Sequence, residues 1–198
     1  MENEKYKYRV LTIPNVLSFL RIAMIPFFVW FYSFYDTRDN LNIWIAFGIL
    51  LLSGGTDIID GFIARRFGMV SNVGRILDPI ADKLTQLAVL VCLCFRYHQL
   101  ILPVCLLVVK EVVNGIIGLV MMHHNRDAID SKWHGKLTTV VIYLTIVVHL
   151  LWPLSNKEIP AALSYSLIGA CIFMMVLSFV LYTKNNVKLI REIKQSKK

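Results

Sequence analysis

The chain has 198 residues, is 57% hydrophobic, and carries 17% charged residues with a formal net charge of +8. An ordinary soluble domain has roughly a quarter charged residues and fewer long apolar runs, so that class is excluded. What remains between the apolar runs is too short for a separate soluble domain, and no nucleic-acid partner is expected.

A helix needs about 20 mostly apolar residues to cross a bilayer. Six stretches fit, at roughly 13–34, 42–61, 78–97, 100–123, 137–154 and 160–182. The expected fold is therefore all-α: a single-domain integral membrane bundle of six transmembrane helices over residues 1–198. Of the 21 Lys and Arg, 15 fall in residues 1–12, 62–77, 124–136 and 183–198, which share one side of a six-span layout. Only Arg38, Arg96 and Lys157 fall on the other side, and Arg21, Lys83 and Lys110 lie within spans. Positive charge is retained on the cytoplasmic side, which places both termini there.

Residues 1–12 open with a charged and aromatic run suited to the membrane surface, Lys and Arg facing headgroups and Tyr6 and Tyr8 at the interface. A partly disordered tail fits equally well. No cleavable signal peptide is expected, because residues 1–9 are polar and basic and the apolar run beyond is too long. Thr12-Ile13-Pro14-Asn15 starts the first span, within which Arg21 either snorkels to the surface or pairs with one of Asp57, Asp60, Asp78 and Asp82.

Span two ends in Ser53-Gly54-Gly55-Thr56, small residues that permit close helix approach, and the helix is expected to run on through Arg66. Residues 67–75 read as a connection, with Pro79 in the first turn of helix three. Cys92, Cys94, Cys105 and Cys171 lie in apolar spans without metal spacing and read as small buried hydrophobes. Lys110 and Glu111 sit mid-span as an adjacent pair, suited to a structural ion pair or to a polar cavity. Residues 183–198 form a basic tail with a solvated or headgroup-binding face.

Four carboxylates stand out against this apolar background. Asp57 and Asp60 are at i and i+3 on one helix, Asp78 and Asp82 at i and i+4 on the next, so each pair shares a face. Ionised carboxylates near hydrocarbon are costly unless paired or metal-bound. Oxygen-only ligands suit Mg²⁺, Mn²⁺ or Ca²⁺ rather than a thiol-preferring metal. Gly61, Ala64 and Gly74 leave room for a ligand to approach backbone, and the Arg65 guanidinium suits a phosphate. Cation, arginine and space together point to a diphosphate-containing ligand.

The run from Asp57 to Asp82 fits D-x2-D-G-x2-A-R-x8-G-x3-D-x3-D at every fixed position. It resembles the signature of the CDP-alcohol phosphotransferases, integral membrane enzymes of phospholipid synthesis. The resemblance implies two divalent cations, Mg²⁺ or Mn²⁺, held by Asp57, Asp60, Asp78 and Asp82, with Asp82 also the general base. It implies CDP contacts from Gly61, Ala64, Arg65, Gly74 and Asn15, and a homodimer in the cell membrane with its active site facing the cytoplasm. The implied reaction is attack by an alcohol hydroxyl on the lipid-linked phosphorus of CDP-diacylglycerol, releasing CMP.

The opening from Thr12 to Ile22 is similar to that of phosphatidylglycerophosphate synthases and of CDP-alcohol-type cardiolipin synthases. Gly135-Lys136-Leu137-Thr138-Thr139 is similar to a region of those synthases, where Lys136 would bind an acceptor phosphate. By that likeness sn-glycerol-3-phosphate is the expected acceptor, with Arg21, Lys110 and Lys136 as its contacts, and phosphatidylglycerol is the alternative. Lys110-Glu111 stands where the former synthases often carry Arg-Glu, keeping the charge but losing the bidentate fork. A divalent-metal transporter is a distant alternative. It predicts carboxylates spread through the bilayer depth and gives Gly61, Ala64, Arg65 and Gly74 no role.

Overall fold

A computed structural model describes residues 13–34, 40–67, 74–123, 133–155 and 157–195. The described residues contain helices and no strand. Six α-helices follow in chain order: α1 Ile13–Ser33, α2 Leu41–Phe67, α3 Gly74–Cys94, α4 Ile101–His123, α5 Trp133–Leu151 and α6 Ala161–Gln195. Short 3-10 turns, His98–Leu100 and Trp152–Ser155, precede α4 and follow α5. Apolar stretches of this length become helices because a helix pairs its backbone groups internally, the requirement a lipid solvent imposes.

Four of these segments are long and apolar enough to cross a bilayer: Asn15–Ser33, His98–Gly118, Trp133–Ser155 and Ala161–Lys184. Four of the six expected spans thus meet that standard, while α2 and α3, which overlap the other two, are not apolar over enough of their length. The reason is the motif itself. The apolar part of α2 is Leu41–Asp57, and Asp57 ends it. Seventeen residues make about 26 Å of helix, a little under the roughly 30 Å hydrocarbon core. In α3 the first turns carry Asp78, Asp82 and Lys83 in place of apolar residues.

One further expectation needs correction. Helix α3 begins at Gly74, so Pro79 is inside the helix rather than in its first turn. Its ring removes one i→i−4 hydrogen bond there, close to the carboxylates. Helix α6 runs unbroken from the last apolar span to Gln195, so the basic tail through that residue is helical. The interfacial segment 1–12 and most of the connection 124–136 lie outside the described residues.

The helices form two compact units, α1–α3 with residues 150–158, and residues 97–149 with α6. In the first, Phe28, Ile43, Ala46, Leu50, Ala81 and Val89 are buried where α1 packs on α2 and α3. Met24, Phe28, Leu50 and Val89 line an apolar crevice among these helices, with Ser53 and Thr85 at its edge. Phe27, Trp30, Leu51 and Leu52 are exposed on the outer side, as a lipid-facing surface requires. All four cysteines are free thiols; Cys92 and Cys171 are buried as expected and Cys94 is half-buried, whereas Cys105 is exposed on the apolar surface of α4.

In the second unit α4 packs on α6, and a buried polar network ties its segments together. Thr145 carbonyl accepts from His149 Nδ1 at 2.8 Å, while His149 Nε2 lies 3.0 Å from Ser164 Oγ. Gln99 Nε2 donates to the same Ser164 oxygen at 2.7 Å, and Tyr97 meets the His149 ring edge-on. In the neutral ring Nδ1 carries the proton, so Nε2 accepts from the Ser164 hydroxyl and every member is satisfied. Ser164→Ala removes the group that two of these side chains share. The expected loss is about 1 kcal/mol or slightly more. That lowers the thermal midpoint by roughly 2–4 °C per kcal/mol for a chain of this size, measured by thermal unfolding in detergent. An unchanged midpoint would remove the network from the stability of this unit.

Candidate active site

Three helices of the first unit bring the chemistry together. Helix α2 carries Asp57 at the end of its apolar stretch, α3 carries Asp78 and Asp82 near its start, and α1 presents Asn15, Ser18 and Arg21 to the interior. These three α1 residues are spaced i, i+3, i+6, so they share one side of the helix, and all three are buried.

Arg21 and Asp57 form an ion pair, Nη1 to Oδ1 at 2.8 Å. The guanidinium side chain is 2% exposed and the Asp57 side chain 49%, so the cation is the buried partner. An unpaired arginine at this depth would be expensive, and the pair removes that cost. Ser18 Oγ donates to Asp78 Oδ1, joining α1 to α3 across sixty residues of sequence. Lys83 Nζ stands 3.7 Å from Asp82 Oδ2, and the Asp82 side chain remains 26% exposed.

Helix α1 thus contacts one carboxylate from each motif helix, Asp57 on α2 and Asp78 on α3. Among the described residues no three carboxylate, imidazole or thiol groups are close enough to hold a metal ion. The side chains of Asp60, Gly61, Ala64 and Arg65 lie outside the described ones, although the helix that carries them is continuous to Phe67. The donor chemistry suits a hard cation: oxygen only, and like charges that need one. Gly74 is buried at the start of α3.

Lys110 and Lys136, expected at the acceptor phosphate, belong to the second unit. Lys110 Nζ is 2.9 Å from Glu111 Oε1, so its charge is met by its neighbour. Lys136 is exposed on α5.

Sequence reasoning passed over two residues of this region. Ser18 is marked by its place one turn from Asn15 and Arg21 on the same side of an apolar helix. Gln86 lies one turn beyond Asp82 on α3, is 0% exposed, and has no hydrogen-bond partner for either amide atom. A glutamine in an apolar span was the available signal.

The family model described as CDP-alcohol phosphatidyltransferase matches residues 11–183. A cardiolipin synthase (CMP-forming) of Streptomyces coelicolor is 37% identical over 134 residues, 66% of this chain and 61% of that protein. A CDP-diacylglycerol–glycerol-3-phosphate 3-phosphatidyltransferase of Sodalis glossinidius is 33% identical over 145 residues, 72% of this chain and 78% of that protein. The enzyme of the same name from Yersinia pestis is 32% identical over 153 residues, 75% of this chain and 82% of that protein. The chain belongs to the CDP-alcohol phosphatidyltransferase family.

The unpartnered Gln86 amide makes a stability prediction. Leaving both polar atoms buried and unsatisfied costs folding free energy that an apolar side chain of similar shape does not. Gln86→Met is therefore expected to hold or raise the thermal midpoint in detergent. A fall of several degrees would show that the amide has a bonding partner in the folded protein.

Proposed function

We propose that this member of the CDP-alcohol phosphatidyltransferase family transfers the phosphatidyl group of CDP-diacylglycerol to sn-glycerol-3-phosphate and releases CMP. The observation that carries the reading is that α1 engages Asp57 and Asp78, one carboxylate from each motif helix, within a motif intact at every fixed position. The relatives named for glycerol-3-phosphate transfer match this chain over most of both sequences. The 37% identity to a cardiolipin synthase supports a second reading, with phosphatidylglycerol as acceptor.

In this reading Asp57, Asp60, Asp78 and Asp82 hold two divalent cations, Mg²⁺ or Mn²⁺. Such cations, when bound, disperse the charge that develops on the diphosphate and on the departing CMP. Asp82 takes the proton of the attacking hydroxyl, and its partial exposure leaves it open to an acceptor. Arg65 binds the diphosphate, and Gly61, Ala64, Gly74 and Asn15 shape the CDP pocket. The family likeness makes Arg21, Lys110 and Lys136 the acceptor-phosphate contacts.

The charge distribution supports six spans with both termini and the active site facing the cytoplasm of the cell membrane. The family likeness supports a homodimer. The apolar outer faces and four long apolar helices are those of an integral membrane protein.

Purified protein given CDP-diacylglycerol, Mg²⁺ or Mn²⁺ and glycerol-3-phosphate is expected to release CMP and form phosphatidylglycerophosphate. Phosphatidylglycerol, inositol phosphate and serine complete the acceptor panel. Preference for phosphatidylglycerol would move the assignment to the second reading, and no CMP with any acceptor would sink both. Asp82→Asn is expected to lower turnover about 10²- to 10⁴-fold, the usual contribution of a positioned base, while CDP-lipid binding persists in part. Turnover unchanged in that variant would remove Asp82 from the role of base.

A further inference from the structure

We propose that Ser18 and Arg21 are positioning residues that hold the Asp78 and Asp57 carboxylates ready for the divalent cations. The inference rests on the metal-dependent reading given above and adds α1 to the site. Helix α1 itself contains no acidic residue, so it contributes no carboxylate ligand. It nevertheless buries a hydroxyl and a guanidinium one turn apart, and each engages Oδ1 of a carboxylate from a different helix.

The Ser18 contact differs from the carbonyl bonds of several hydroxyls in the described helices, and like Ser164 and Ser178 it meets a side chain on another segment, here a carboxylate. A serine or threonine inside an apolar helix ordinarily bonds the carbonyl one turn back. Thr85, Thr138, Thr139, Thr145 and Ser166 all do so, on the carbonyls of Ala81, His134, Gly135, Val141 and Ala162. Ser18 reaches Asp78 on another helix.

Each contact uses one of two carboxylate oxygens, which leaves the carboxylate able to ligate a cation with the other. Left alone, Asp57, Asp78 and Asp82 repel and turn apart, since each side chain rotates about its own bonds. Ser18 and Arg21 oppose this from one rigid helix, so a cation meets carboxylates already oriented. Groups that orient metal ligands in this way commonly control affinity 10- to 100-fold.

Arg21 has a second, opposite effect. Its positive charge repels a cation, so removing it would mix lost orientation with relieved repulsion. Ser18 is neutral, and Arg21→Lys keeps the charge while losing the planar fork, so these two changes read positioning alone. The test is Mn²⁺ binding to the full-length protein in detergent, without lipid or acceptor, followed by electron paramagnetic resonance of free Mn²⁺. Ser18→Ala is expected to weaken Mn²⁺ binding about 10- to 100-fold, with Ser18→Thr restoring it. Arg21→Lys is expected to weaken it about tenfold.

Thermal midpoints in EDTA identify any variant that fails to fold, and Arg21→Lys decides the question if Ser18→Ala is one. Wild-type Mn²⁺ affinity in both folded variants would overturn the positioning role while leaving the metal reading intact. No Mn²⁺ binding by the wild-type protein would overturn both together.

Discussion

The constraint on which this molecule depends is the cost of ionised groups at the edge of hydrocarbon. Asp57 ends the apolar stretch of α2, and Arg21 lies buried in α1 opposite it. Neither charge is tolerable there alone, and the 2.8 Å pair between them makes both acceptable. That pair also ties α1 to α2, as Ser18 and Asp78 tie α1 to α3. The polar contacts of Arg21 and Ser18 therefore tie the three helices of this unit together.

The same constraint shapes the helices. The motif occupies the end of α2 and the beginning of α3, and it takes apolar length from both. Hydrophobic span and carboxylate compete for the same residues, which sets Asp57 at the end of one apolar stretch and Asp78 and Asp82 at the start of another. Pro79, interior to α3, interrupts the backbone ladder between Asp78 and Asp82. The second unit solves its polar burial differently. His149, Ser164 and Gln99 satisfy one another, and they have no net charge to balance.

Most of the architecture was legible in the sequence because helices in lipid are specified locally, by runs of apolar side chains. Six helices among the described residues overlap the six stretches, four of them long and apolar enough to cross a bilayer, and α2 ends at Phe67, one residue beyond the expected point. The misplaced boundary, at the start of α3, falls where polar residues extend a helix beyond its apolar run. Hydropathy loses its signal there while the backbone hydrogen bonds continue. Ser18 and Gln86 were missed for a related reason: one polar residue in an apolar span carries no pattern of its own.

By itself the sequence determined the helical class, the motif and the chemistry that four carboxylates, an arginine and small residues can support. Those follow from composition and from spacing along single helices, which 3.6 residues per turn converts directly into shared faces. Only the tertiary structure decided which partner each buried polar group takes. It set Arg21 on Asp57, Ser18 on Asp78, and left Gln86 without a bond. Those choices depend on how α1 packs against helices 36 and 60 residues away, a distance over which local spacing carries no information.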